Sequence, residues 1–329
     1  MKVLITGGTG FIGSGLALKY LERGDDVTVL GQENTPAEFE NKQLLEARGA
    51  RVILASVTDR ERMLEVARGI DTVYHLAAAQ HEAHAPDQRF WDVNVMGTRN
   101  ILEASVHNGV KRFVHGSTIG VYGSNGRERI NECSPLSPDN IYGLTKLEAE
   151  RMVMSFAQRL PFVIARISET YGPGDRRLLK LFRGIKKNLF CMIGNGMNFH
   201  HPIYIDDLTD ALVAAAGAPD AVGKALVLAG KQVLTTNEMV QTIAKEVGAR
   251  PPRLRIPLAA VWLVGQIMET VCRPLGLQPP IHRRRLDFFR KSFRFSTAEA
   301  TTALGFIPKY DFVDGVRETA CWYADRGYL

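Results

Sequence analysis

The chain has 329 residues, 45% of them hydrophobic and 23% charged, with a formal net charge of +6. That length buries a large core and predicts two lobes, and the balance is ordinary for a globular enzyme. The four cysteines, Cys133, Cys191, Cys272 and Cys321, form no C-x-x-C pair and no metal spacing, which argues against a disulfide framework and fits a reducing cytoplasm. Basic clusters at Arg176/Arg177, Lys186/Lys187 and Arg283/Arg284/Arg285 are not interleaved with aromatics, so nucleic acid is not an expected partner. Solvated surface helices are their plain reading, with an anionic substrate or a membrane surface as the alternative.

The chain opens on Val3, Leu4 and Ile5, an apolar run expected of a strand buried on both faces, and not on a signal peptide. Gly7, Gly10 and Gly13 follow, and a helix-like apolar stretch over 11–21 comes next. Glycine turns are common, but with a strand before and a helix after, this one predicts a dinucleotide site rather than a plain structural turn. Glycine lets the backbone approach a pyrophosphate, and the helix aims unpaired N–H groups and its positive dipole end at the phosphate.

Strands are predicted at 2–6, 26–30, 51–55, 72–76, 112–115 and 162–166, with helices at 11–23, 39–48, 60–67, 93–108 and 142–159 between them. This alternation predicts an α/β fold, a doubly wound parallel sheet with helices on both faces. After Gly172-Pro173-Gly174 the rhythm changes to helices near 178–188, 206–216, 236–247 and 257–271, separated by Pro- and Gly-rich turns. The division is a dinucleotide-binding domain over 1–172, joined by 201–217, and a smaller, mostly helical substrate lobe over 173–329. The most apolar helix, 257–271, is too short to span a bilayer and carries Gln266 and Glu269. A buried helix lining an apolar pocket is favoured there over a membrane-surface helix.

Tyr142 and Lys146 are four residues apart and share one helix face. A phenol titrates near pH 10, but a neighbouring cation and an oxidised nicotinamide ring favour the phenolate. A strand ending in Gly116-Ser117-Thr118 precedes the pair.

Together these features resemble the extended short-chain dehydrogenase/reductase family, which contains nucleotide-sugar epimerases, dehydratases and 3β-hydroxysteroid-type dehydrogenases. The matching stretches are TGGTGFIG (6–13), VYHLAA (73–78), VNVMGT (93–98), RFVHGSTIGVYG (112–123), YGLTK (142–146), RISETYGPGD (166–175) and HPIYIDDL (201–208), in family order. The resemblance implies a Rossmann-type fold and NAD or NADP as cofactor. Gly7, Gly10 and Gly13 would wrap the pyrophosphate, with Thr9, Phe11 and Ile12 in the same turn. Gly31, Gln32, Ser56 and Val57 would lie at the adenosine end, and Leu76, Ala77, Ala78, Ser117 and Ile167 along the cofactor. Asn94 would contact it from the next helix. Thr118 would hydrogen-bond the substrate oxygen, Tyr142 would exchange the proton, and Lys146 would hold the ribose and tune Tyr142. His81, Glu169 and His200 would face the substrate. No metal is expected, and a homodimer through the helices around 93–108 and 142–159 is.

Departures from the family pattern bear on specificity. After the second strand stands Gly31-Gln32-Glu33, with neither the Asp that suits NAD nor the Arg that suits NADP in place. Ser56 replaces an Asp, so Asp59 need not face adenine. Ile119-Gly120 replaces the Asp-Glu of the 4,6-dehydratases and disfavours dehydration. Glu169 stands where many nucleotide-sugar enzymes carry an Asn near the diphosphate, and a carboxylate there repels it. His200 replaces an Arg, and Arg285-Leu286-Asp287 replaces an R-x-G-D element. The order over 256–308 instead resembles the tail of 3β-hydroxysteroid-dehydrogenase-type members, whose pocket has apolar walls.

The resulting expectation is a cytoplasmic NAD(P)-dependent oxidoreductase acting at a secondary alcohol or ketone of a largely hydrophobic small-molecule substrate. A nucleotide-sugar 4-epimerase is the alternative, and a non-catalytic cofactor-binding sensor is an alternative of another class.

Overall fold

The computed structural model describes residues 1–80, 85–124, 128–272 and 286–329. Six strands, β1 (Lys2–Thr6), β2 (Asp26–Gly31), β3 (Arg51–Leu54), β4 (Thr72–His75), β5 (Arg112–Thr118) and β6 (Phe162–Ile167), lie parallel in the order 3-2-1-4-5-6. Ile5 of β1 pairs with Val29 on one side and Tyr74 on the other, which makes β1 the central strand of the reversal. The chain winds outward in both directions from it, so a crevice opens beyond its C-terminal end.

A seventh strand, Ala225–Leu228, adds to β6 with Leu226 opposite Ala165. The predicted elements did not include it. Four apolar residues after Gly223 and Lys224 are too short to separate from a helix segment by pattern alone.

One face of the sheet is covered by α1 (Phe11–Glu22), and α2 (Pro36–Ala47) follows β2. The second helix begins at Pro36, three residues before the predicted start, because Thr35 and Glu38 form a reciprocal capping box. On the opposite face α3 (Arg60–Val66) contributes to a core of Leu4, Ile53, Met63, Ile101, Phe113 and Phe156. The helix predicted from 93 starts earlier and is built in three pieces. These are α4 (Asp87–Trp91), a π-helical turn over Asp92–Met96, and α5 (Gly97–His107). Then come α6 (Ile141–Ser155), α7 (Leu179–Lys186), α8 (Ile205–Gly217), α9 (Thr236–Glu246) and α10 (Leu258–Cys272).

The C-terminal half contributes directly to the sheet's core. Leu208, Ala211 and Leu212 of α8, with Leu226, Leu228, Ala303 and Phe306, pack among Val3, Ile5, Leu16 and Tyr20. A separate core unites Phe182, Met192, Met239, Val240, Phe312 and Tyr323. The predicted burial of 257–271 is corrected. Val261 points inward, whereas Trp262, Leu263 and Val264 are 43%, 55% and 45% exposed.

Candidate active site

The C-terminal ends of β1, β2, β4, β5 and β6 open on a cleft of about 650 Å³. Its floor is the glycine turn. Gly7 has φ +72°, and a Cβ there would stand 2.6 Å from the Ala77 amide nitrogen. At Gly13 a Cβ would meet the Gly7 carbonyl oxygen at 2.3 Å. Both positions exclude a side chain, and the turn packs directly against the Leu76-Ala77 backbone. Gly10 is the N-cap of α1, whose first N–H groups carry no side-chain cap bond. Such groups bind an anion. The Thr9 hydroxyl donates to the Gln32 carbonyl at 2.9 Å and fills the space a Cβ on Gly31 would need, which fixes the turn against β2.

Gly7, Thr9, Gly10, Phe11, Ile12, Gly13, Gly31, Gln32, Ser56, Val57, Leu76, Ala77, Ala78, Ser117 and Ile167 all line this cleft, and so do Thr118 and Tyr142. His81 lies outside the described residues. Asn94 is corrected. It is fully buried in the π-helical turn, off the cleft wall, with its amide committed to the protein. Its Oδ1 accepts from the Ala79 N–H at 2.8 Å, and its Nδ2 donates to the Ala79 carbonyl and to the Thr145 hydroxyl. It ties the loop after β4 to the helix that carries Tyr142.

The Thr118 Oγ1 accepts from the Gly120 N–H at 3.1 Å, which leaves its own hydrogen to donate into the cleft. Asn140 caps α6 through the Gly143 N–H at 2.9 Å and starts the helix two residues before Tyr142. Lys146, one turn on, is 1% exposed and is not on the cleft wall. Its Nζ lies 3.3 Å from His115 Nε2. Burial pulls the ammonium down to about 8, with Glu150 opposing that shift. His115 is buried and stacks on His75 with ring centroids 5.5 Å apart. His75 bonds Thr6 and Thr98 through its two ring nitrogens, and burial together with the Lys146 charge lowers it to about 3. A neutral His75–His115 stack thus backs the lysine from beneath the sheet ends. Both histidines sit inside the quoted motifs, but nothing in spacing alone joins them to Lys146.

The sequence profile of the NAD dependent epimerase/dehydratase family matches residues 3–229. The chain belongs to that family. It is therefore an enzyme of the extended short-chain type, with a Rossmann-like sheet and NAD chemistry. The chain is similar to the Escherichia coli O157:H7 N-acetyl-alpha-D-glucosaminyl-diphospho-ditrans,octacis-undecaprenol 4-epimerase, at 25% identity over 97% of this chain and 94% of the relative. It is also similar to 2-alkyl-3-oxoalkanoate reductase of Stenotrophomonas maltophilia strain K279a, at 27% identity over 96% and 98%. Among solved structures, UDP-glucuronic acid 4-epimerase from Bacillus cereus in complex with NAD superposes with a TM-score of 0.81, at 25% identity and full coverage of both chains.

The dinucleotide fits the residues present. The turn of this epimerase/dehydratase-family chain has no room for a Cβ at Gly7 or Gly13, as a backbone cradle for pyrophosphate requires. When bound, NAD supplies hydride transfer at its nicotinamide ring. Several lining residues were missed from the sequence, Glu38 and Arg177 among them. Glu38 of the capping box also faces the cleft, and its carboxylate accepts from the N–H groups of Asn34 and Thr35 at 2.8 and 3.0 Å. Glu33, by contrast, pairs with Lys42 at 2.9 Å.

Ser117 is anchored below the cleft. Its hydroxyl donates to Glu150 at 2.5 Å, and Glu150 receives the Arg166 guanidinium, Nη2 at 2.8 Å. Arg166 also donates to the Tyr122 hydroxyl at 2.9 Å. This buried network locks β5, β6 and α6 together, so the elements carrying Thr118 and Tyr142 share one frame. Arg177, another of the missed residues, lines the cleft beside Phe11 and donates to Asp175 at 2.9 Å.

Two of the departures expected to bear on the substrate come together. Glu169 accepts from His200 Nδ1, with both carboxylate oxygens at 3.0 Å, although 31 residues separate them. Glu169 itself is not on the cleft wall, but its neighbours Ser168 and Thr170 are.

Proposed function

We propose that this enzyme moves a hydride between NAD and a secondary alcohol or ketone of a lipophilic substrate. The Thr118 hydroxyl donates to the substrate oxygen. Tyr142, at the same wall, passes the proton to that oxygen on reduction and takes it on oxidation. Lys146 places a cation behind the phenol and favours its ionised form. Asn94 holds the loop and α6 in register around them.

The observation that carries the lipophilic reading is the Glu169–His200 pair. A carboxylate held beside the cleft opposes a diphosphate, and the Asn and Arg that the family resemblance leads one to expect are both replaced. The similarity to a 2-alkyl-3-oxoalkanoate reductase supports it, as that name describes an alkyl ketone substrate. A second reading, 4-epimerisation of a sugar diphosphate, is favoured by the likeness to the B. cereus UDP-glucuronic acid 4-epimerase. A homodimer through the helices around 93–108 and 142–159 belongs to the same proposal, and light scattering tests it.

Purified enzyme is assayed in parallel with NAD plus long-chain 3-hydroxyalkanoates or 3β-hydroxysteroids, and with UDP-glucose or UDP-glucuronic acid. The proposal expects net nicotinamide reduction with the lipophilic alcohols. Interconversion of UDP-sugars without net reduction overturns it. Tyr142→Phe lowers the productive rate by about 10²-fold or more, and a wild-type rate in that variant removes the proton-relay role.

A further inference from the structure

We propose that the corner of the molecule formed by α7, the segment after it and the start of α10 docks on an anionic membrane surface. Two stretches meet there. The strand Arg255–Ile256 pairs with Met192–Ile193, and the Met192 and Gly194 N–H groups donate to the Leu254 and Ile256 carbonyls at 2.9 and 2.8 Å. This pairing sets Leu254, exposed by 62%, against Met192, three residues after Leu189, exposed by 75%, and sets Gly194 against Leu258, in the first turn of the helix that carries the exposed Trp262 and Leu263. Solvent-facing leucines and a tryptophan in one region mark an interaction surface rather than scattered exposure.

Charge identifies the partner. Residues 176–205 and 247–268 contain no Asp or Glu. Lys180, Lys186, Lys187, Arg250 and Arg253 are all exposed there, and among the described residues none pairs with a carboxylate. An apolar, tryptophan-bearing centre rimmed by unneutralised cations complements a bilayer of anionic lipid, whose headgroups attract the rim while the apolar side chains enter the interface. A protein partner of like composition would meet the same cations. No described helix is long and apolar enough to cross the membrane, so the contact is made on the surface. The cation-rich α7 begins two residues after Arg177, a lining residue of the cleft, which places the docking corner on the same lobe as the substrate side.

The test is sedimentation of the full chain with vesicles of three parts phosphatidylcholine to one part phosphatidylglycerol, against vesicles of phosphatidylcholine alone. The expected result is binding to the anionic vesicles that is lost at high salt. Lys186→Glu with Lys187→Glu, and separately Trp262→Ser with Leu263→Ser, should each weaken it by about tenfold or more. NAD affinity should be unchanged in both variants, which shows that they remain folded. Should the apolar variant fail to fold, the lysine variant carries the test. Equal binding to both vesicle types, or none to either, overturns the proposal. So does light scattering in which the apolar variant converts a dimer to a monomer, because the face then belongs to a second copy of the chain.

Discussion

Glu169 and His200 form a pair in which both ring nitrogens of the histidine are held by neighbouring side chains. Nδ1 faces the Glu169 carboxylate, and Nε2 lies 3.0 Å from the Thr236 hydroxyl. That hydroxyl donates its own hydrogen to Asn198 Oδ1 at 2.6 Å, and the Asn198 amide nitrogen lies 3.2 Å from the same Nε2. Glu169→Asn combined with His200→Arg replaces this pair by neutral amide and guanidinium. Calorimetry with UDP should show an affinity gain of about tenfold or more for the double variant. No gain would mean that Glu169 does not exclude a diphosphate.

Glu38 places a carboxylate on the cleft wall beyond β2, the side on which the family resemblance puts the adenosine and so the extra phosphate of NADP. Glu38→Gln keeps acceptor atoms for the Asn34 and Thr35 N–H groups and removes the charge. The preference for NAD over NADP should fall by about tenfold. Measurement of both dissociation constants checks this, and an unchanged ratio would assign selectivity elsewhere.

The Arg166–Glu150 pair is buried, with side-chain exposures of 3% and 0%. Removing one partner strands a charge in the core, so Glu150→Ala should destabilise the fold by roughly 3–5 kcal/mol. Replacing both residues with leucine should recover much of that loss. Denaturant unfolding of the three variants distinguishes a charge left unpaired from a simple loss of packing.

Lys146 is lowered from 10.5 to about 8 by burial. Between those values the unfolded chain holds a proton that the folded chain has released, so this group makes stability rise with pH. Below about 8 the cost of burying the ammonium is present in full. Lys146→Met should therefore stabilise the protein near pH 7, by up to about 3 kcal/mol. The gain should shrink towards zero as the pH approaches 10.5. A pH series of unfolding midpoints measures it, and a gain that grows with pH would contradict the burial argument.

The sheet was legible because β1 and β6 are buried on both faces and carry the apolar runs Val3-Leu4-Ile5 and Phe162-Val163-Ile164-Ala165. The glycine turn was legible because steric exclusion at Gly7 and Gly13 leaves no other residue. What stayed hidden depends on contacts distant in sequence. Asn94 looked like a cofactor ligand until its amide was seen bonded to Ala79 and Thr145. His115 joins Lys146 across 31 positions, and Glu169 joins His200 across the same interval. Apolar composition at 257–271 signalled burial, but composition does not say whether another surface arrives to cover it.

The strand Ala225–Leu228 has a consequence for how the molecule can be divided. It supplies the partner for the outer edge of β6, and β6 is buried along its whole length. A polypeptide ending at Gly172 would carry the entire nucleotide turn and both Tyr142 and Lys146, yet leave that edge a bare row of amides and carbonyls. During synthesis the same row stays open until the chain has passed through α7 and α8 and returned. The catalytic half thus depends for its solubility on residues made after it, and this couples assembly of the cofactor cleft to completion of the lobe beyond it.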